Sequence, residues 1–515
     1  MDKLEQQKQK LTATQTGILM MTVTVFGFLF GFGREIALSN FFGTTYVIDA
    51  YNVANSIPGI LFGGIFSAIG TAYMPTFSKI TEKEGVDKGK GFTDRLITLV
   101  VIAAIVCAAI GIVFSNFLIK IVAPGFTGQT AKLASIFLKI IFCYNIFSGI
   151  TGILNSYLRY NGVFVRQIII AYLNDIGIII GAIAATYLGY IYIAIGVLCG
   201  RMLECLATIV LARKHEFKYR LNFKFGQSVK EIIILAIPVF IGSMLSQINT
   251  FIDKLLASSL PEGSIAALGF GGIIPASLVA LTASIIATIL YPKITKAVNT
   301  GDNDYLNVMS KKSITVAAMI VLPFSLGSAA FSSQVVQVIF ERGAFSTAST
   351  DITASAMFFY SFGMLFIAIN NVCVQIAYSL KDMRLPLYCG VASVCTNIAL
   401  NLLLIGPMKH NGLALATSVA NMVSAVSIVF LLRRRHPELR VFPTKVKLVK
   451  IVICSAAAVA IAILVYKLMT IICIVRTINL IIAVGASVIA YLISLKIARI
   501  EEIDILTELI PKKNR

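Results

Sequence analysis

The side chains of this sequence best equipped for chemistry stand in otherwise apolar surroundings. The stretch "FGFGREIALSNFFG" (30–43) carries Arg34 and Glu35 directly after an uncharged run long enough to cross a bilayer. In "IGSMLSQINTFIDKLLASSL" (241–260), Ser243, Gln247, Thr250 and Lys254 are spaced by four, three and four, with Ser246 and Asp253 beside them. On a helix this is one polar stripe on an apolar cylinder. Thr24, Gly27, Gly31 and Arg34 form a second face, of small residues ending in a cation. Asn174 and Asp175, Lys139, Arg201 and Glu204, the set Asn371, Gln375 and Tyr378, and Asn397 with Asn401 also fall inside apolar runs. A central Arg, Lys or Asp in hydrocarbon costs roughly 2.5–3.5 kcal/mol, so such groups face a bundle interior or a water-filled cavity. The cations can hold an anionic group. The carboxylates can neutralise those cations or bind a coupling ion. The amides and hydroxyls either line the same cavity or hydrogen-bond helix to helix.

Two readings stay open at several positions. The glycines before Arg34 serve close helix packing as readily as a cavity. Asp49 can stabilise the start of its helix or act as counter-ion to Arg34 across the loop. Arg201 and Glu204, three residues apart, are placed to pair with each other.

The elements that must position these groups are membrane-spanning helices. Only 13% of the 515 residues are charged, against about a quarter in soluble proteins. Apolar runs recur from end to end and are continuous, which argues against a β-barrel. Fourteen spans are predicted, at 14–33, 51–73, 96–118, 134–157, 167–187, 190–212, 231–253, 266–290, 313–333, 353–378, 386–406, 412–432, 449–470 and 477–496. The first is read as a retained span, being too long for a signal-peptide core.

The net charge of +20 does not indicate nucleic acid, because the cations form no single patch. Most of the 44 Lys and Arg residues fall in alternate segments, including 74–95, 213–230, 293–312 and 433–450. The other set holds Arg34, Lys120, Lys132, Lys254, Arg342, Lys409, Lys467 and Arg476. This bias predicts cytoplasmic termini and puts Arg34 at the outward end of span 1.

An internal repeat adds the lobes. "IPGILFGGIFSAIGTAYMPTFSKI" (57–80) aligns with "IPASLVALTASIIATILYPKITKA" (274–297), pairing Pro58/Pro275, Ser67/Ser284, Ile69/Ile286, Thr71/Thr288, Pro75/Pro292 and Lys79/Lys296. The fold class expected is an all-α integral membrane protein with about 14 transmembrane helices, two six-helix lobes plus two appended helices. The lobes are 1–220 and 221–440, and 441–515 holds spans 13–14 and a C-terminal tail. An even number of spans per lobe gives both the same orientation, an arrangement typical of transporters.

Neither an ATP-binding GxxxxGK[ST] stretch, nor HExxH, nor a nucleophile elbow occurs. The nine Cys show no metal spacing, and the three His lie in polar loops. The expectation is a protein with no catalytic residues, metal or cofactor, driven by a gradient or the membrane potential.

Specific stretches carry a family likeness. They are "GFGREIALSNFFGTTYVIDAYNVANSIPGILFGGIFSAIGTAYMPTFSKI" (31–80), "QINTFIDKLLASSL" (247–260), "IFERGAFSTAST" (339–350), "AYSLKDMRLPLYCG" (377–390) and "NLLLIGPMKHNGLALATSVAN" (401–421). Together they resemble the MurJ/MviN family of lipid II flippases, within the multidrug/oligosaccharidyl-lipid/polysaccharide exporter superfamily. The resemblance implies alternating access. A polyprenyl-pyrophosphate-linked sugar would pass from inner to outer leaflet through a cationic cavity, its tail in a groove formed with spans 13–14. Arg34 matches the family's Arg at the end of span 1, and Glu35 replaces its usual Asp. Asp49 matches a "DAF"-type acid, here "DAY", and Asp253 the acid of span 7. Phe28, Phe62, Gly63, Phe270 and Gly271 stand where the family often has Arg.

The substrate-binding set expected is Arg34, Glu35, Asp49, Gln247, Asn249, Asp253, Lys254, Asn371 and Gln375. The partners expected are a lipid II-like lipid-linked saccharide, membrane lipid and cell-wall synthesis proteins, in a bacterial plasma membrane. Two alternatives differ in cargo. One is a flippase for an exopolysaccharide unit. The other is a cation-coupled drug exporter, which carboxylates such as Asp175 within one lobe would favour.

Overall fold

The structure is a computed structural model that describes residues 13–503 apart from 224–225 and 473–474. The side chains of Ser67 and Ser246, and Lys3, Lys8, Lys10, Lys512, Lys513 and Arg515 of the two tails, lie outside the described residues. The chain divides into two compact units, Met1–Glu262 and Gly263–Arg515.

The first unit holds α1 (Ala13–Phe42), α2 (Tyr46–Pro58), α3 (Gly64–Glu84), α4 (Val86–Val113), α5 (Ser115–Val122), α6 (Gly128–Tyr160), α7 (Val165–Leu188), α8 (Ile191–Lys214) and α9 (Gln227–Ala257). The second holds α10 (Ser264–Ile289), α11 (Tyr291–Thr300), α12 (Asn303–Ala330), α13 (Ser332–Phe340), α14 (Thr347–Ser379), α15 (Arg384–Met408), α16 (His410–Arg435), α17 (Lys445–Ile472) and α18 (Arg476–Ile497). Among the described residues, 13 helices are long and apolar enough to cross a membrane. The expected count of fourteen is therefore approximate. The segment read as span 7 forms the 31-residue α9.

Helix α1 runs on to Phe42, well past the end expected for span 1. Leu38 and Ser39 in that extension are fully buried, so protein contacts continue the helix where hydropathy alone ends it. Arg34 and Glu35 thus lie within a helix rather than at its mouth, and Asp49 sits in the first turn of α2.

The two copies of the repeat fold differently in detail. Pro58 lacks an N–H, and the helix relaxes through a π-helical turn, Gly59–Gly63, before continuing as α3. The second copy keeps Pro275 inside α10 and breaks at Leu290, where Pro292 opens α11.

Two seams position the charged groups. Along α1 and α7, Phe30 stacks on Tyr172 with ring centroids 4.9 Å apart, and the Tyr172 hydroxyl donates to the Val23 carbonyl. Along α7 and α8, Gly177 and Gly181 face Gly200 and Gly196. A Cβ at Gly181 would lie 2.6 Å from the Gly196 Cα, so the two backbones touch. Small residues four apart on both helices permit this crossing. Asp175 stands half a turn from Gly177 and so lies on the other side of α7, where it meets Arg34 of α1, while Arg201 directly follows Gly200 on α8.

Candidate functional site

Arg34 is the centre of the first unit's polar network. Its Nη2 and Nε donate to Glu35 Oε1 at 2.6 and 3.0 Å, and its Nη1 donates to Asp175 Oδ1 at 2.8 Å. The guanidinium fork matches two carboxylates at once, which an ammonium could not do with the same geometry. The side chain of Arg34 keeps 28% of its exposure, and those of Glu35 and Asp175 keep 16% each. The buried phenol of Tyr51 on α2 lies within electrostatic reach of Arg34, Glu35, Asp175 and Tyr144. Beyond it, Arg201 Nη1 donates to Glu204 Oε2 at 2.7 Å and its guanidinium lies 5.5 Å from the Tyr144 ring centre. Arg201 Nε and Asn174 Oδ1, both in this region, are buried without a hydrogen-bond partner.

A second cluster forms around Lys254 on α9. The charges of Asp49 and Asp253 both act on its ammonium, and Asn249 Nδ2 donates to Asp253 Oδ2 at 3.3 Å. The charge of Asp49 thus acts on Lys254, while Glu35 and Asp175 are the carboxylates paired with Arg34. The other end of the α9 stripe is packing. A Cβ at Gly64 would come within 2.6 Å of Ser243 Oγ, and one at Gly63 within 3.8 Å of Gln247 Nε2. Ser243 and Gln247 thus fill the space that the π turn and its glycines open.

Of the expected site residues, Arg34 and Glu35 fall in the first cluster, and Asp49, Asn249, Asp253 and Lys254 in the second. Asn371 and Gln375 lie on α14 of the second unit. Gln375 Oε1 is buried and without a partner, while the neighbouring Asn370 accepts a hydrogen bond from Ser424 at 3.1 Å. Asn397 and Asn401 bond each other at 2.8 Å and act as packing. Lys139 is exposed on α6 and joins neither cluster. Asp175 as partner of Arg34, and the tyrosines between the two arginines, lie outside the expected set.

The second unit contains an apolar groove of about 470 Å³, lined by α10, α12, α13, α17 and α18. Leu278, Phe324, Phe331, Val459, Leu480 and Leu492 form its walls. Such a surface suits a hydrocarbon chain.

Charged groups paired within a bundle of spans, in a chain that also carries an apolar groove, mark a multi-pass membrane protein with a functional site inside the bundle. Solved structures agree on the fold. A lipid II flippase MurJ in its inward closed conformation matches with a TM-score of 0.81 and 24% identity, over 93% of this chain and 98% of that one. An inward-facing multidrug resistance MATE family transporter of the MOP superfamily matches at 0.63 and 15% identity, over 81% and 98%. The family model for lipid II flippase MurJ matches residues 38–499, and the chain belongs to that family. Among its relatives, the probable lipid II flippases MurJ of Rickettsia prowazekii (strain Madrid E) and Rhizobium meliloti (strain 1021) are 27% and 28% identical. The first alignment covers 80% of this chain and 82% of the relative, the second 84% and 83%.

Proposed function

We propose that this protein carries lipid II from the inner to the outer leaflet of a bacterial plasma membrane by alternating access, with both termini cytoplasmic. The cation-rich segments then face the cytoplasm, as the positive-inside bias requires. The observation that carries the reading is Arg34, held inside a span by two carboxylates rather than exposed to lipid. A pyrophosphate offers the same paired oxygens as Glu35 and Asp175 and exchanges with them on the guanidinium. Arg201 and Lys254 supply the further positive charge that the family often draws from arginines at the positions of Phe28, Phe62, Gly63, Phe270 and Gly271. The polyprenyl tail runs in the apolar groove of the second unit. Cell-wall synthesis proteins are the partners that would supply and consume this cargo.

The test is complementation. A strain depleted of its own lipid II flippase should grow when this chain is expressed, and should not grow with Arg34→Ala present at equal membrane level. Failure of the wild-type chain to rescue, despite correct insertion, would remove lipid II as the cargo.

A further inference from the structure

The internal repeat extends to a pair of straps that differ in one charge. The register that pairs Lys79 with Lys296 also pairs α4 with α12, whose ends match at Val86/Asn303 and Val113/Ala330. In the first unit the segment after α8 is tied to α4, where Asp94 Oδ1 accepts from the Arg220 backbone N–H at 3.1 Å. Lys90, one turn earlier on α4, pairs with Glu216 at 3.5 Å. In the second unit the segment after α16 is tied to α12, but by other groups. Asn307 stands where Lys90 does. Its Oδ1 accepts from the Arg440 backbone N–H at 2.6 Å, and its Nδ2 donates to the Glu438 carbonyl at 3.0 Å. Lys311 stands at the position of Asp94. The second strap is thus held without a carboxylate, and a cation occupies the carboxylate's place.

That exchange leaves a pocket of about 600 Å³ that the transport reading does not use. Lys311, Arg433, Arg440 and Lys445 line it, with no acidic side chain in the lining. The neighbouring acids are engaged elsewhere. Asp382 pairs with Arg435 at 2.8 Å, Glu502 with Lys447 at 2.7 Å, and Glu438 with His436 at 3.5 Å. Among the described residues, no carboxylate pairs with the four lining cations. The positive-inside bias accounts for cations in this segment, not for their convergence on one concavity while the nearby acids pair outside it. Like charges held together there repel, and a bound anion removes that cost.

The rest of the lining sets the kind of anion. Every lining residue falls outside the predicted spans 313–333, 412–432 and 449–470, so the pocket opens to water rather than hydrocarbon. A lone phosphate would fill a small part of a volume that suits a drug-sized ligand. Phe442 lies 5.6 Å from the Arg433 guanidinium, and Leu439 and Leu448 add an apolar wall. Cations for phosphate oxygens, beside an aromatic and aliphatic wall for an organic body, fit an organic phosphate of nucleotide size.

We propose that this pocket binds a soluble organic diphosphate of nucleotide size, whose phosphates take the place that the Asp94 carboxylate fills in the first unit. Its opening on the cytoplasm rests on the orientation proposed above, but the binding does not.

The experiment uses the full-length protein in detergent, read by isothermal titration and thermal unfolding. The probe is ADP, with adenosine and inorganic pyrophosphate as references. The wild-type chain should bind ADP more tightly than pyrophosphate and should not bind adenosine. Arg440→Gln should weaken ADP about tenfold, the loss of one charge-assisted hydrogen bond. Arg434→Gln, which lies outside the pocket, should leave binding unchanged. Lys311→Asp rebuilds the first unit's carboxylate among the three remaining cations. It should raise the unfolding temperature of the ligand-free protein and weaken ADP about 100-fold, because one cation is lost and one anion gained. No ADP binding by the wild-type chain, equal binding by wild type and Lys311→Asp, or pyrophosphate bound as tightly as ADP overturns the proposal. Retention of phosphatidylglycerol that depends on Lys311, seen by native mass spectrometry without ADP binding, also overturns it and assigns the cations to a lipid headgroup. If Lys311→Asp does not fold, Arg440→Gln decides, and unchanged ADP affinity in that variant overturns the proposal. A chain that binds ADP through Lys311 yet fails to move lipid II would support the pocket and remove only the transport reading.

Discussion

Replacing Arg34 by alanine removes three charge-assisted hydrogen bonds and leaves Glu35 and Asp175 facing each other without a cation. Breaking a buried ion pair by deleting one partner costs about 3–5 kcal/mol, most of it from the charge left behind. Arg34 retains 28% of its side-chain exposure, so the loss should lie near the lower end, about 3 kcal/mol. Loss of growth in this variant alone would not separate a substrate contact from a structural one. The triple variant Arg34→Ala, Glu35→Gln, Asp175→Asn does separate them. It removes the orphaned charges together with the cation, and neutral replacement of a whole buried ion-pair group is often close to neutral in stability. Thermal unfolding in detergent should therefore recover to within about 1 kcal/mol of wild type. Lipid II transport should stay lost, because no guanidinium remains to exchange its carboxylates for pyrophosphate. Growth supported by the triple variant would refute the reasoning and reduce Arg34 to a charge balancer.

Gly327→Phe, on the groove wall at a position where an added side chain meets open space, should leave thermal stability unchanged or slightly raised while slowing lipid transport in proteoliposomes. Gly181→Val should cost about 1–3 kcal/mol by overpacking the α7–α8 crossing, read as a lower unfolding temperature and lower membrane yield. Glu341 lies outside the spans, and hydrogen bonds from Thr350 and Gln337 hold its carboxyl below the usual glutamate range. Its contribution to stability is thus fully present above the unfolded value of 4.5 and fades as pH falls through the lower folded value. Thr350→Val should shrink that contribution and flatten the fall in unfolding temperature as pH drops below 4.5.

The helical class and the polar stripes are legible in the residues because insertion cost makes every intramembrane charge conspicuous. The pairing of those charges is not. Arg34 and Asp175 are 141 positions apart, and their meeting depends on how α1 and α7 cross, which hydropathy does not encode. The α9 stripe is uniform in sequence, yet Ser243 and Gln247 fill space beside the Gly63–Gly64 backbone while Lys254 lies within the field of Asp49 and Asp253. The π turn after Pro58 divides those roles, and its glycines are visible in the sequence without their consequence. The end of α1 differs from the expected one because a buried helix and a lipid-facing one stop for different reasons: Leu38 and Ser39 are buried by protein, not by bilayer.

The central claim is that this chain moves lipid II across a bilayer through a path that requires Arg34. Purified protein in liposomes loaded with fluorescent lipid II on the inner leaflet, quenched from outside, measures it directly. The account predicts time-dependent quenching with the wild-type chain and none beyond the protein-free rate with the folded triple variant. Equal quenching by both, or none with the wild-type chain, would contradict it.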